Sequence, residues 1–210
     1  MGASRGTHGA ILLAGGRASR VGGAVKPLFD VGGRTLLDRA LAAAAAIGGD
    51  PTTVVGPVLV ERPGVAWVRE DPPFTGPAAA IVAALGSWDP RDDPEWTLVL
   101  ACDLPDAERA VAQLVADAAL LPTDTDGVCL ADPSGRPQWL TGLYRTRALR
   151  DRASTLPDAG RDAPVRALLD DLAIAVVEDA TGASRDIDTW EDLEEARRVS
   201  DVRETGDDDG

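Results

Sequence analysis

The sequence predicts a three-layer α/β/α domain built on a mostly parallel, Rossmann-like sheet. Three observations carry that expectation. Apolar, strand-like runs alternate with helix-patterned segments, as they do where helices cover both faces of a parallel sheet. The first run, Ala10 to Ala14, empties into a glycine-rich loop. A later one, Trp96 to Ala101, is followed almost at once by Asp103. Ligands of open α/β sheets bind beyond the carboxyl ends of the strands, so both loops fall at the edge where a site is expected.

Residues 1–9 are read as a disordered leader, 10–200 as one domain and 201–210 as an acidic disordered tail. After the first strand and its loop, Leu28 to Val31 approaches a turn at Gly32-Gly33. Thr35, with Asp38 three residues on, makes a capping-box-like helix start. That helix runs through the alanine tract to Gly48-Gly49. The β-branched run Thr52 to Val55 is the second strand, and a short third lies within Gly64 to Arg69. Ala78 to Leu85, small and apolar, reads as a buried helix. A charged loop, Asp89 to Glu95, precedes the strand Trp96 to Ala101. A helix then runs from Asp106 to Leu121 and is broken at Pro122. Gly127 to Ala131 and Gln138 to Tyr144, around Pro133-Ser134-Gly135, predict a hairpin inserted into the alternation. Thr146 to Ser154 and Pro164 to Asp171 are helical, and Ala173 to Val177 is the last strand. Thr189 with Asp192 opens a terminal helix that reaches about Val199.

At 210 residues a single domain is the default. The formal net charge of −14 argues against nonspecific binding to nucleic acid or membrane surfaces. An anionic ligand must therefore meet a locally basic site. No apolar run of about 18 residues occurs, so no membrane span is expected, and the first residues lack the apolar stretch of a signal peptide. Cys102 and Cys129 lie in separate apolar runs and read as reduced, buried strand residues of a cytoplasmic protein. His8 is the only histidine, which excludes histidine-based triads and argues against zinc.

The best basic site is the loop itself. Gly15-Gly16 and Gly22-Gly23 bracket Arg17 and Arg20, and Lys26 closes the segment. Glycines let the backbone approach a ligand closely, and successive N–H groups in such a loop cradle anions. Lys26 is the only lysine in the chain, which points to a place that wants a compact ammonium. The spacing excludes both the Walker loop and the dinucleotide fingerprint. Asp103, at a strand end, reads either as an oxygen ligand for Mg²⁺ or as a cap for the turn before the next helix.

The stretch from Leu13 to Lys26 resembles, with one residue more between Gly22 and Lys26, the signature L-A-G-G-x-[SA]-x-R-[ML]-G-x-x-K of nucleotidyltransferases that activate a phosphorylated partner with a nucleoside triphosphate. Within that superfamily it is most similar to the molybdenum cofactor guanylyltransferases. Val21 and Val25 depart from the pattern, where Met or Leu and an aspartate are usual. Three later stretches also match. Asp103-Leu104-Pro105 resembles a D-[LTM]-P step. Asp71 followed by Gly76-Pro77 resembles D-x(4)-G-P-L-A-G, with Ala78 and Ala80 in place of Leu and Gly. Asp186-Ile187-Asp188-Thr189 resembles [ND]-x-[ND]-T-P, with Trp190 in place of proline. The likeness runs from Ala10 to Val199.

The resemblance implies the fold of the nucleotide-diphospho-sugar transferases and transfer of GMP from GTP to the phosphate of molybdenum-molybdopterin. It implies that Leu13, Ala14, Gly15, Gly16, Gly22, Lys26, Gly56, Asp71, Gly76 and Asp103 hold the nucleotide. Arg20, Lys26 and Asp103 would serve catalysis, and Mg²⁺ would sit on Asp103 and Asp188. Asp188 is also open to a place beside the second substrate, and Asp186 to that or to stabilising a helix N-terminus. Arg136, Gln138, Arg161 and Asp186 would face the acceptor. The expected partners are GTP and phosphorylated molybdopterin, with transient contacts to cofactor-synthesis or molybdoenzyme proteins. Two other readings stay open: a relative acting on a sugar phosphate or another cofactor precursor, and a nucleotide-binding protein without turnover.

Overall fold

A computed structural model of the chain describes residues 8–15 and 24–207, with side chains through residue 202. The strands are β1 (His8–Leu13), β2 (Asp30–Val31), β3 (Arg34–Thr35), β4 (Thr52–Val55), β5 (Val65–Val68), β6 (Trp96–Ala101), β7 (Gly127–Ala131), β8 (Pro137–Arg145) and β9 (Ile174–Glu178). The helices are α1 (Leu36–Ala46), α2 (Pro77–Gly86), α3 (Ala107–Ala118), α4 (Thr146–Thr155), α5 (Val165–Leu169) and α6 (Trp190–Asp207). Seven strands form one sheet in the order β5-β4-β1-β6-β8-β7-β9, and β2 pairs with β3 in a small separate hairpin.

The period of two along a strand builds the layers. On β1, Ala10 and Leu12 enter a core with α1 and α3, where Leu37, Ala40, Ala107, Ala110 and Leu114 meet them. Ile11 and Leu13 point the other way, into a core with Ile81 and Leu85 of α2, Leu149 of α4 and Leu168 of α5. A strand buried on both faces reads as an unbroken apolar run rather than an alternating one, which is why the first strand is so plain in the sequence. The alanine tract has a similar cause. Ala40, Ala43 and Ala44 are almost fully buried, and such small side chains let α1 lie close to α3.

Local chemistry sets the element ends. At the start of α1 the Asp38 N–H donates to Thr35 Oγ1 at 3.1 Å, and the Thr35 hydroxyl donates to Asp38 Oδ2 at 2.7 Å. The expected capping at α6 is present too: the Asp192 N–H donates to Thr189 Oγ1 at 3.1 Å and the Thr189 N–H to Asp192 Oδ2 at 2.8 Å.

The expected hairpin is β7–β8. At its turn Asp132 Oδ1 accepts from the N–H of Ser134 at 2.8 Å and of Arg136 at 3.0 Å. β8 runs antiparallel to β6, with Leu100 opposite Thr141 as the last pair. The start of β8, through Leu140, therefore overhangs the carboxyl ends of the parallel strands. This overhang brings a long hairpin to the site edge.

Two boundaries differ from expectation. β1 begins at His8, inside the expected leader, because His8 lies opposite Trp96 and its carbonyl accepts from the Asp50 N–H at 2.9 Å. The terminal helix continues to Asp207, into the expected tail. The acidic run has no Pro, and no Gly before Gly206, to stop it, and polarity alone does not end a helix. Cys102 and Cys129 are free and buried as expected, although Cys102 sits one residue beyond β6.

Candidate active site

The site is assembled from the loops that leave β1, β4, β5 and β6. Gly15 follows β1, and Gly56 follows β4. The Ala14 N–H donates to the Val55 carbonyl at 3.0 Å, and the Gly56 N–H to the Val68 carbonyl at 2.9 Å. A Cβ on Gly56 would lie 3.2 Å from the Ala14 carbonyl carbon and 3.3 Å from the Gly15 nitrogen. These two loops touch because residue 56 has no side chain. Over them opens a cavity of about 310 Å³, whose walls include Leu13, Gly15, Glu70, Phe74, Gly76, Pro77, Ala80, Asp103 and Leu140.

Asp103 lines this cavity. Its Oδ1 is sealed from solvent and accepts no hydrogen bond among the described residues. Burial pushes the carboxyl up to about 6, the charges of Asp186 and Asp188 push the same way, and Lys26 pulls against them. The Ile187 N–H donates to the Asp103 carbonyl at 3.0 Å, which straps the Asp186–Asp188 segment alongside. Lys26 lies in a single 3-10 turn, Lys26–Leu28, anchored by buried Pro27. Its ammonium meets Asp188 Oδ1 at 2.8 Å, and only 18% of the lysine side chain is exposed. The α6 cap holds this strap as well, since Asp192 Oδ2 accepts from the Asp188 N–H at 3.2 Å. Three carboxylates and one ammonium, supplied by three distant stretches of chain, therefore share one electrostatic neighbourhood.

This donor set fits a divalent cation. A buried carboxylate oxygen without a partner calls for a positive charge, and Mg²⁺ is commonly held by one or two carboxylates with phosphates completing its shell. Among the described residues no group of three or more His, Cys, Asp or Glu is placed to hold a metal by itself, so substrate oxygens would have to contribute. The arrangement suits an ionic, phosphate-bearing ligand: Gly15 and Asp103 in a largely apolar wall, with the Lys26–Asp188 ion pair in the electrostatic neighbourhood of Asp103.

A model of the MobA-like NTP transferase domain matches residues 10–176. The chain belongs to this family. It is a nucleotidyltransferase. It is 34% identical to a probable molybdenum cofactor guanylyltransferase of Synechococcus elongatus over 165 residues, 73% of this chain and 79% of that protein. Its fold is shared with Rv0371c of Mycobacterium tuberculosis at a TM-score of 0.67 and 19% identity, covering 93% of this chain and all of that one. A further structure of Rv0371c is a complex with manganese. Molybdopterin-guanine dinucleotide biosynthesis protein A of Archaeoglobus fulgidus superposes with a TM-score of 0.64 at 19% identity, covering 92% and 98% of the two chains.

In this MobA-like chain the expected site residues separate into groups. Leu13, Gly15, Gly76 and Asp103 line the cavity, Ala14 is buried behind it, and Gly56 supports the Gly15 backbone. Lys26 and Asp188 form the adjoining ion pair. Gly16, Arg20 and Gly22 lie outside the described residues. Asp71 is exposed and not in the cavity wall; the carboxylate there is its neighbour Glu70. Asp186, although close enough to raise Asp103, lines a second cavity of about 500 Å³ with Arg34, Arg39 and Arg185.

The expected acceptor residues stand outside the first cavity's wall. Arg136 is exposed at the hairpin turn, and the Gln138 amide donates to Asp132 Oδ2 at 3.3 Å. Arg161 is exposed after the 3-10 turn Pro157–Gly160. That turn abuts α2, where a Cβ on Gly160 would come within 3.3 Å of Ala78. The Asp162 N–H also donates to the Thr75 carbonyl at 2.7 Å, so Arg161 is tied to the Gly76-Pro77 turn. Glu70, Phe74 and Leu140 were not anticipated. Glu70 and Phe74 stand beside residues that were, but Leu140 reaches the site only because β8 is inserted antiparallel.

Proposed function

We propose that this protein transfers GMP from GTP to the phosphate of a molybdenum-loaded molybdopterin and releases pyrophosphate. The observation that carries the reading is the convergence of Lys26, Asp188 and the orphaned Asp103 oxygen beside the glycine-walled cavity. The Synechococcus relative's name supplies the substrate pair.

An oxygen of the acceptor phosphate attacks the α-phosphorus of GTP. A new P–O bond forms, the bond from the α-phosphorus to its bridging oxygen breaks, and pyrophosphate carries away the electron pair. A phosphate monoester has its second pKa near 6 and is already largely ionised at neutral pH, so no general base is required. Catalysis then consists of positioning and charge stabilisation. The Lys26 ammonium turns from Asp188 toward the phosphates, and the Gly15 backbone allows them close approach. Asp103 and Asp188 would hold a divalent cation, which when bound neutralises charge on the transferring group. Mg²⁺ is the ion this proposal names, and the acceptor lies on the side of Arg136, Gln138 and Arg161. The protein works in the cytoplasm with transient contacts to proteins that make or receive the cofactor. No helix among the described residues is long and apolar enough to cross a membrane.

The test is pyrophosphate release measured for four nucleoside triphosphates against phosphorylated acceptors, with and without Mg²⁺. Release only with GTP and phosphorylated, metal-loaded pterin is expected. Release with CTP or TTP and a sugar phosphate or precursor alcohol phosphate would replace this reading with a related transferase. GTP binding without release under any acceptor would leave a binding protein.

A further inference from the structure

The strap that carries Asp188 is folded by carboxylates outside the first cavity's wall. It belongs to the stretch between β9 and α6, which contains no helix or strand. Buried Ala183 and Ile187 fix two points of that stretch. Asp179 folds its first half. The Asp179 Oδ2 accepts from the Ser184 N–H and hydroxyl, both at 2.7 Å, and its Oδ1 from the Thr181 N–H at 3.1 Å. Asp192 folds the second half. Its Oδ2 accepts from the Thr189 N–H and hydroxyl, both at 2.8 Å, and from the Asp188 N–H at 3.2 Å.

The last of these bonds is more than a helix cap requires. A capping box reaches back only to the N-cap residue, here Thr189. At α1 the matching Asp38 accepts from the Thr35 hydroxyl on one oxygen and from Arg62 at 3.0 Å on the other. At α6 the carboxylate goes one residue further, to Asp188, and the side chain of that residue meets the Lys26 ammonium at 2.8 Å. On the other flank the Ile187 N–H is tied to the Asp103 carbonyl. Two successive N–H groups are therefore held, and the direction in which the Asp188 side chain leaves the backbone is set by them. Asp192 itself lines the second cavity, so it acts on the first only through Asp188.

Pre-setting that direction matters because a misplacement of about 1 Å in a reacting site can cost on the order of 10²-fold in rate. We infer that Asp192 is a positioning residue: by accepting the Asp188 N–H it aims the Asp188 carboxylate at Lys26. The aim of the carboxylate is a property of the protein without substrate, whereas its effect on turnover rests on the guanylyltransferase reading.

The test uses the fact that Lys26 is the chain's one lysine. Acylation of the full chain with an amine-reactive reagent, followed by peptide mapping, reads that side chain separately from the terminal amine. Asp192→Leu keeps much of the shape and offers no acceptor. Its Lys26 should be acylated about 5-fold faster than in the native protein, the protection that one ion pair of ordinary strength can give. Asp192→Asn keeps an oxygen for the Asp188 N–H and should restore slow acylation. Thr189→Ala removes the hydroxyl of the cap and spares the Asp188 bond, so it should lower the melting temperature and leave acylation slow. Pyrophosphate release should fall by up to ~10²-fold in Asp192→Leu and recover in Asp192→Asn. Native-like acylation of a folded Asp192→Leu would overturn the inference. Fast acylation of Thr189→Ala would overturn it too, leaving Asp192 a helix cap and nothing more. Amide hydrogen exchange of the native protein needs no variant, and an Asp188 N–H that exchanges as fast as an exposed loop amide would have the same consequence. Acylation in the expected order, with no pyrophosphate from the native protein under any acceptor, would sustain the positioning role and remove the transferase reading.

Discussion

Asp103→Asn should stabilise the metal-free protein at alkaline pH while abolishing its activity. The carboxyl is raised from an ordinary 3.8 to about 6, first by burial and then by Asp186. The direction of the linkage follows. Below pH 4 the group is protonated in both folded and unfolded chains and costs nothing. Between pH 4 and 6 the folded chain holds the proton more tightly, so stability falls as pH rises. Above pH 6 both states are ionised and the whole penalty is present. Two units correspond to about 3 kcal/mol. Asparagine never ionises and escapes this penalty, so at pH 8 the variant should gain up to about 3 kcal/mol, or roughly 6–12 °C in Tm for a chain of this size. At pH 4 it should match the native protein within about 1 kcal/mol. The assay is a pair of chelator-treated melting series from pH 4 to 8, compared as a difference so that other titrations cancel. A difference that is flat with pH, or a variant destabilised throughout, would show that Asp103 serves the fold, and the site built on it would fall.

Lys26→Ala should lower turnover by ~10²-fold or more, as loss of a single charge stabiliser commonly does; steady-state pyrophosphate release measures it. Lys26 also holds the Asp103 carboxyl down, so the same variant should shift the pH dependence of Asp103 upward, visible in the melting difference just described. Gly56→Ala would place a methyl 3.2 Å from the Ala14 carbonyl carbon and should cost about 1–3 kcal/mol by overpacking, with GTP binding weakened in calorimetry because the Gly15 backbone must move. GTP should bind the native protein at least ~10-fold tighter than ATP or CTP, a difference of about 1.4 kcal/mol; equal affinities in a four-nucleotide titration would remove the guanine specificity.

What could be read from the sequence was whatever a short stretch determines by itself. The glycine pairs and the lone lysine suggest an anion loop because backbone freedom and charge are properties of residue type, and residues 16–23 of that loop lie outside the described residues. Thr35 with Asp38 and Thr189 with Asp192 announce helix starts because capping needs only four residues, and both caps have the expected partners. Pro133-Ser134-Gly135 announced the hairpin for the same reason. Questions of side-chain direction were not legible. Whether Glu70 or Asp71 faces the cavity depends on how the chain leaves β5, and both residues lie beyond the strand, where its alternation no longer sets direction. The resemblance indicated Asp71, whereas the cavity wall contains Glu70. Asp186 was grouped with Asp188, yet it lines the second cavity beside Arg185.

The Lys26–Asp188 pair shows where sequence reading reaches its limit and why the limit matters here. A loop lysine in a polar, glycine-rich segment is expected to be solvent-exposed. This one is mostly covered, because a carboxylate 162 residues away stands 2.8 Å from its ammonium. No local pattern encodes that meeting. It arises because the parallel sheet brings the loops after β1 and β6 to one edge and the strap before α6 is tied to Asp103 through the Ile187 N–H. The consequence is chemical. Without substrate, the ammonium neutralises Asp188 and part of the Asp103 field, so the carboxylates are tolerated near one another. In the proposed reaction the lysine would move to the phosphates, and a divalent cation held by Asp103 and Asp188 would supply the positive charge beside the carboxylates. Each positive charge then has an anionic partner before and after binding. On the proposed function, an edge carrying Asp103, Asp186 and Asp188 in a chain of net charge −14 would receive a polyphosphate because the same fold that crowds the carboxylates also delivers the chain's one lysine to them.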